Sequence, residues 1–225
     1  VKETEAARVE LTKSLDKEKE LNTLKSRFVS MASHEFRTPL STITSSAYLL
    51  QKYVTTEDQP KREKHLERIF TSVNTLNDIL EDFVSVGQIE EGKTAVKYLE
   101  LNIVDILQGL INQISPILKK NQNIVYVHHG PELINTDPAL LKHIVINLIS
   151  NAIKFSNENS TIEIKSINTD ESWFLHIQDQ GIGISESDQR NLYERFFRGN
   201  NASHIQGTGL GLHIVAKYVQ VMKGE

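Results

Sequence analysis

Apolar side chains recur at alternating intervals of three and four residues in the N-terminal part of the chain, which is the spacing of amphipathic helices. One run consists of Leu21, Leu24, Phe28 and Met31. A longer run, regular enough for a coiled-coil seam, consists of Leu66, Ile69, Val73, Leu76, Leu80 and Phe83. Two helices joined by the polar residues 55–60 cannot enclose these seams alone. We therefore predict a helical hairpin that pairs with a second copy in a dimeric four-helix bundle.

The chain before this hairpin is rich in Glu, Lys, Leu and Ala and has neither Pro nor Gly up to about residue 30. This composition is typical of a long exposed helix or coiled coil. At residues 87–93 the helical pattern gives way to glycine and charge, which indicates a linker. We predict a coiled-coil linker over residues 1–24, the hairpin over 25–91 and a different kind of domain over 92–225.

Helical and strand patterns alternate in this last domain. Residues 102–120 and 139–155 are predicted helices, and Asp137 followed by Pro138 supplies an N-cap and a first-turn proline for the second of them. The predicted strands are residues 124–127, 162–167 and 173–177, and the last two favour a hairpin. A long polar segment, residues 185–206, precedes a final helix that starts after Gly-Thr-Gly.

Composition limits the classes of partner and compartment. The chain has 225 residues, 39% of them hydrophobic and 24% charged, with a net charge of −4, so nothing favours nucleic acid or an anionic membrane as a partner. The absence of cysteine excludes disulfides and thiolate zinc sites and fits a reducing compartment. No run approaches the ~20 apolar residues of a membrane span and no signal peptide is present. We expect a cytoplasmic chain whose sensor or membrane anchor, if any, lies upstream of Val1.

The segment from His34 to Leu40 combines a nucleophile, a base and a helix breaker. The apolar seam skips position 34, so His34 should face solvent, and Pro39 should bend or loosen the helix one turn later. A lone histidine on a polar helix face is often only a solvated side chain. The order His-Glu-Phe-Arg-Thr-Pro-Leu, however, resembles the phospho-acceptor box of sensor histidine kinases, His-Glu-x-Arg-Thr-Pro-Leu.

A polar stripe lies along the predicted helix 139–155, opposite a core face of Leu141, Ile144, Leu148 and Ala152. The stripe consists of His143, Asn147, Asn151 and Lys154. It could be a solvated face, yet each interior asparagine costs up to ~0.7 kcal/mol of helix propensity against alanine. Amide oxygens suit Mg²⁺, and a lysine can meet phosphate charge.

Downstream residues offer a site for the rest of a nucleotide. Asp179 shares strand parity with Trp173, Leu175 and Ile177, so it should point toward the apolar layer and accept a hydrogen bond, for which an adenine amino group is suited. Gly181 and Gly183 would let a ligand approach the backbone, although most such pairs are plain turns. Three further glycines, 207, 209 and 211, precede a helix, where anionic phosphate is favoured.

The order of these motifs resembles the ATP-binding domain of sensor histidine kinases, which is similar to the gyrase, heat-shock chaperone and mismatch-repair ATPases. The resemblance covers about residues 25 to 225. Residues 147–155 look like the N box, 179–183 the first glycine box, 196–198 the F box and 207–212 the second glycine box. Family members continue past the position of Gly224 into further strands, so we expect an incomplete sheet with an unpaired edge.

The resemblance implies an α+β fold, in which the hairpin is followed by an α/β sandwich with a mixed sheet. It also implies roles in binding ATP and Mg²⁺: Asn151 as metal ligand with Asn147 alongside, Lys154 on phosphate, Phe155 near adenine and Asp179 on its amino group. The glycine boxes, comprising Gly181, Gly183, Gly207, Thr208, Gly209, Leu210 and Gly211, would surround the nucleotide, and Arg198 would belong to a mobile lid.

By the same resemblance, His34 takes the γ-phosphoryl group of ATP and passes it to an aspartate of a response regulator. Glu35 is the expected base, Thr38 is expected to orient a water that removes phosphate from the regulator, and the chain is expected to be a homodimer served by an upstream sensor domain. A clamp ATPase of the related fold would need a water-activating glutamate where Asn147 stands. A silent signalling scaffold would not need the intact motifs. The other histidines are interpreted as structural or solvated: His65, His128, His129, His143, His176, His204 and His213.

Overall fold

The computed structural model describes residues 2–169, 171–202, 205 and 207–225, with side chains from Glu10 onward except at residues 14, 16, 17, 20, 21, 24, 25, 27, 28 and 200. The helices are α1 (Lys2–Lys52), α2 (Gln59–Glu90), α3 (Ile103–Ile114), α4 (Pro138–Phe155), α5 (Glu186–Gln189) and α6 (Gly211–Val221). The strands are β1 (Leu99–Asn102), β2 (Asn123–His129), β3 (Leu133–Thr136), β4 (Thr161–Asn168) and β5 (Trp173–Gln178). Packing divides the chain into two compact units, Val1–Glu81 and Asp82–Glu225.

The first unit contains α1 and most of α2, which are joined by a 3₁₀ turn at Thr56–Asp58. Helix α1 continues through Pro39 without interruption, so a bend there remains a prediction. The predicted seam side chains of Leu21, Leu24 and Phe28 lie outside the described residues. Among the described residues, no helix has the length and apolar character needed to cross a membrane.

Several polar side chains are buried in the hairpin, in addition to the apolar Ile79. Glu35, Ser46, His65 and Ser72 are buried. Nδ1 of His65 lies 3.2 Å from Oγ of Ser46, and the His65 ring stacks on Tyr53 with ring centroids 5.7 Å apart. The buried Nδ1 of His65 therefore has a hydrogen-bond partner inside the hairpin.

The predicted α2 seam is open along one side. Leu66, Val73 and Leu80, spaced by seven residues, are exposed, whereas Ile69 and Leu76 are half-buried. The fraction of the Leu80 residue that is exposed is 55%. A continuous exposed stripe of this kind is typical of a surface that another element covers.

Helix α2 extends further than the sequence indicates, because Gly87 lies inside it and the helix ends at Glu90. The prediction of a linker at residues 87–93 is therefore wrong for residues 87–90, which are helical. Val86 is buried, and Ile89 packs against the same apolar cluster of the second unit. This burial outweighs the cost of an interior glycine, which is about 1 kcal/mol against alanine.

The second unit contains a mixed three-stranded sheet in the order β2-β4-β5, with β2 parallel to β4 and β4 antiparallel to β5. This confirms the predicted mixed sheet and the hairpin of its last two strands. A separate antiparallel pair, β1 with β3, was not predicted. Each of these two strands has only four residues, too few for a period of two to be recognised against background.

Helix α4 is packed on two sides, whereas the sequence suggested one core face. Leu141, Val145 and Ile149 belong to the cluster that covers the sheet. Ile144 and Leu148 belong to a second cluster with α6 and the end of α2. The helix starts as predicted, since the Asp137 side chain accepts hydrogen bonds from the backbone N–H groups of Ala139 and Leu140 at 2.9 and 3.1 Å.

Candidate active site

The imidazole of His34 is exposed to solvent, as predicted, next to a buried carboxylate. The His34 side chain is 74% exposed and that of Glu35 only 4%, with 3.4 Å between Nδ1 and Oε1. This separation is at the outer limit of a hydrogen bond. A carboxylate on that side favours the tautomer with the proton on Nδ1 and the lone pair on Nε2, the form in which an imidazole is a nucleophile. Thr38 is also exposed, one helical turn further along α1.

The polar stripe of α4 is half-buried rather than solvated, because apolar clusters flank it on both sides. His143 lies edge-on to the Tyr218 ring, with centroids 5.8 Å apart, and so is engaged with α6. Asn147 directs its side-chain oxygen at Gly211, where a β-carbon would overlap it. The Lys154 ammonium lies 5.0 Å from the centroid of the Phe155 ring and 2.6 Å from the position of a β-carbon at Gly207. Two members of the stripe, Asn147 and Lys154, therefore face the second glycine box.

The first glycine box is attached to the C-terminal end of α4 through backbone contacts. Gly181 forms an isolated bridge with Ser156, and the N–H of Ile182 donates to the carbonyl of Phe155 at 3.3 Å. A β-carbon at Gly181 would lie 2.7 Å from that carbonyl oxygen, so glycine is required at this close approach. Gly183 has a φ of +66°, a conformation that glycine adopts readily.

Asp179 does not point into the apolar layer, so that expectation is wrong. Strand β5 ends at Gln178, and Asp179, beyond the regular alternation, is exposed. Its Oδ1 accepts a hydrogen bond from the N–H of Gly181 at 2.8 Å. One carboxylate oxygen thus orients the side chain, and the other oxygen is a candidate acceptor for a ligand.

The F box and the segment after it form hydrogen bonds both to the glycine boxes and within themselves, and Asn201 donates to the Gly183 carbonyl at 3.1 Å. The N–H of Phe196 donates to the Gly209 carbonyl at 3.0 Å. The Arg198 guanidinium donates to the carbonyls of Ala202 and Ile205 at 3.3 and 2.6 Å. Arg198 therefore closes its own loop in this structure. His204 lies outside the described residues.

Two predicted nucleotide-binding residues serve as anchors within the second glycine box. The Thr208 hydroxyl donates to the Asp82 carboxylate at 2.9 Å and accepts from the N–H of Leu210 at 3.2 Å. Leu210 is completely buried in the apolar cluster with α4 and α6. Asp82 was not predicted as part of the site, since it stands on the polar face of α2 with no motif around it.

A second anchor is His213, in the first turn of α6, which the sequence analysis interpreted as structural or solvated and which proves to be structural. Its Nδ1 lies 2.8 Å from the Tyr193 carbonyl, and Nε of Arg195 donates to its Nε2 at 3.3 Å. Arg195 also forms an ion pair with Glu90. Burial lowers the pKa of His213, and the charges of Arg195 and Lys217 act in the same direction. The ring is held neutral, with its proton on Nδ1.

Family models match the chain in two parts. The model described as "His Kinase A (phospho-acceptor) domain" matches residues 24–92, and the one described as "Histidine kinase-, DNA gyrase B-, and HSP90-like ATPase" matches residues 136–225. The first contains His34 and the second contains all four nucleotide motifs. The pair of matches defines a phospho-acceptor hairpin followed by a nucleotide-binding domain.

Relatives and solved structures agree with this assignment. The sensor protein GacS of Pseudomonas syringae pv. syringae is 34% identical over 98% of this chain and 25% of its own length. The autoinducer 2 sensor kinase/phosphatase LuxQ of Vibrio vulnificus is 33% identical over 88% of this chain and 24% of its own. The Acinetobacter baumannii histidine kinase AdeS has the same fold, with a TM-score of 0.63 and 22% identity over 84% of this chain and 86% of that one.

The chain belongs to the sensor histidine kinases and is a catalytic core of that family, with an ATP-binding domain of the histidine kinase type. It spans about a quarter of the length of the curated relatives it matches.

The environment of His213 predicts a loss of stability in acid. The unfolded imidazole takes up a proton near its ordinary pKa of 6.5, whereas the folded one resists protonation. The unfolded state therefore binds more protons as the pH falls through 6.5, and stability decreases until the pH is below the lowered folded pKa. Urea unfolding followed by fluorescence of the single tryptophan, Trp173, should show a smaller loss between pH 7.5 and pH 5 in His213→Gln than in the wild type.

The exposed His129 provides the control, since His129→Gln should keep the wild-type pH dependence. Equal pH slopes for His213→Gln and the wild type would exclude this role for His213.

Proposed function

We propose that this chain is an ATP-dependent protein histidine kinase that autophosphorylates His34 and passes the phosphoryl group to an aspartate of a response regulator. The observation that carries the proposal is the pairing of the exposed His34 with the buried Glu35. The cradle formed by the α4 stripe and the second glycine box adds a site for the phosphate donor. We also propose the division into a linker at 1–24, the hairpin at 25–91 and the ATP-binding domain at 92–225.

In the transfer step, the lone pair on Nε2 of His34 forms a bond to the γ-phosphorus of ATP, and the bond from phosphorus to the bridging oxygen of ADP breaks. ADP leaves with that electron pair. The imidazole becomes cationic as the new bond forms, and the Glu35 carboxylate accepts the Nδ1 proton to give neutral phosphohistidine. The rest of catalysis is positioning and neutralisation of charge.

The nucleotide is bound in the second unit by groups with distinct roles. Asp179 accepts from the adenine amino group, Phe155 lies near the ring, and Lys154 meets the phosphate charge. Backbone N–H groups at the start of α6 favour the phosphates.

Mg²⁺ is the metal that fits this site. Asn151, with Asn147 alongside, offers neutral amide oxygens of the kind that Mg²⁺ accepts while it keeps several waters. When bound, the ion neutralises charge on the phosphates. Among the described residues there is no group of three His, Asp or Glu side chains suited to hold a metal alone, in keeping with a metal shared with substrate.

A clamp ATPase of the related fold is the closest alternative. That activity needs a carboxylate to activate water, and the corresponding position holds Asn147. An amide cannot accept a proton from water, so phosphoryl transfer to His34 is favoured over hydrolysis.

Labelled Mg-ATP tests the assignment. His34→Gln should abolish incorporation of acid-labile phosphate and leave ATP affinity unchanged, because the substituted residue lies outside the nucleotide site.

Asp179→Asn should weaken ATP binding by roughly tenfold or more, because the amide loses an acceptor of a charge-assisted hydrogen bond. Acid-stable phosphate would point to a different acceptor, and normal ATP affinity in Asp179→Asn would exclude the adenine assignment.

Phosphatase activity toward the regulator is a second proposed function, favoured by the exposed Thr38 one turn from His34 and by the kinase/phosphatase name of the LuxQ relative. The Thr38 hydroxyl would orient a water in line with the phosphoaspartate. Thr38→Ala should keep autophosphorylation and lose most phosphatase activity, measured on the same preparation. Parallel loss of both rates would indicate local unfolding, and an unchanged phosphatase rate would remove Thr38 from the mechanism.

The homodimer is proposed from the open α2 stripe of Leu66, Val73 and Leu80. Leu80→Asp places a charge on this stripe and should raise the dimer dissociation constant at least about tenfold, since an unpaired charge is costly to bury. Light scattering at micromolar concentration measures it. Asn74→Asp adds the same charge at an exposed position of the same helix, about a quarter turn away from the stripe, and should stay dimeric. A monomeric wild-type chain would rule out the bundle.

The names of the relatives, which are sensor proteins and sensor kinases, support an upstream sensor domain in a longer protein.

A further inference from the structure

The ammonium group of Lys119 lies against the C-terminal end of α4. It donates to the carbonyl of Lys154 at 2.8 Å and to the carbonyl of Ser156 at 2.5 Å. The last carbonyls of a helix have no partner within the helix and carry partial negative charge, so a cation is favoured there. Lys119 follows α3 in the chain and thus belongs to none of the nucleotide motifs.

Lys119 is itself held in a defined position. Its backbone N–H donates to the side-chain oxygen of Gln122 at 3.1 Å. The Gln122 amide, which is buried, donates to Oγ of Ser160 at 3.1 Å. Because these hydrogen bonds fix the loop that carries Lys119, its ammonium group can restrict the position of the C-terminal end of α4.

The segment held by Lys119 is the one to which the first glycine box attaches. The carbonyl of Phe155 accepts from Ile182, and Ser156 bridges Gly181. Gly181 in turn orients Asp179 through its N–H. A continuous series of backbone contacts thus connects Lys119 with the proposed adenine acceptor. At the strand end of this turn, the side-chain oxygen of Gln180 accepts a hydrogen bond from the N–H of Thr161 at 3.0 Å.

We propose that Lys119 is a positioning residue for adenine: it fixes the Phe155–Ser156 backbone and, through it, the first glycine box at the spacing that adenine recognition requires. This inference rests on the proposed ATP site. It concerns base recognition, whereas the phosphate cradle at the start of α6 is built from other contacts.

Lys119→Met tests the proposal in the full chain, with the dissociation constants of ATP and GTP as readouts. ATP affinity should fall about tenfold, the effect of one weakened hydrogen bond to a carboxylate. GTP affinity should fall much less, because guanine has a carbonyl where adenine has its amino group, so the preference for ATP shrinks. Lys119→Arg should restore the preference, since a guanidinium can donate to two carbonyls.

The neighbouring Lys120 supplies a matched control. It is exposed, and its backbone carbonyl, which the substitution leaves in place, accepts a hydrogen bond from the N–H of Asn159. Lys120→Met removes the same charge and should leave both dissociation constants unchanged.

Wild-type ATP preference in Lys119→Met, or an equal loss of ATP and GTP affinity, overturns the proposal, because a merely structural role would affect both nucleotides alike. If Lys119→Met does not fold, Lys119→Gln is compared with Lys119→Arg by the ratio of the GTP and ATP dissociation constants. Equal ratios in these two variants overturn the proposal. Asp179→Asn distinguishes a failure of the proposed adenine site from a failure of the proposed role of Lys119. If Asp179→Asn keeps the wild-type preference for ATP, the adenine site is wrong. If Asp179→Asn loses that preference and Lys119→Met keeps it, only the role of Lys119 is excluded.

Discussion

The burial of α4 between two apolar clusters is the constraint on which the nucleotide site depends. Leu141 and Ile149 face the sheet, and Ile144 faces α6. Each fully buried side chain of this kind stabilises the fold by about 1.5–3 kcal/mol, so rotation of the helix would expose several of them at once. The remaining stripe with Asn147 and Lys154 is thereby directed at the glycine box before α6.

The ends of α4 are satisfied by charges that match the helix dipole. At its start, burial opposes ionisation of Asp137, but hydrogen bonds from the N–H groups of Lys97, Leu140 and Ala139 outweigh it and lower the pKa of that carboxyl. At its other end, the Lys119 ammonium meets the free carbonyls. A negative cap at the N-terminus and a positive one at the C-terminus stabilise the helix that carries most of the proposed phosphate and metal contacts.

The last turns of α2 belong structurally to the nucleotide-binding unit. Val86 is buried with residues of α4 and α6, Asp82 accepts from the Thr208 hydroxyl, and Glu90 pairs with Arg195. All of these contacts lie within the second unit, Asp82–Glu225, so the C-terminal end of α2 is part of the packing that holds Thr208 in the second glycine box.

The sequence alone determined the features that depend on local order: the acceptor box around His34, the Asp137 cap and the four nucleotide motifs, because each needs particular residues at a fixed spacing. Tertiary structure decided what depends on contacts between distant segments. It extended α2 through Gly87 because burial outweighed glycine's low helix propensity. It also left Asp179 exposed because β5 ends one residue earlier, and it brought Lys119 to the end of α4. Such contacts join residues with no pattern in common, so periodicity and motif spacing could not reveal them.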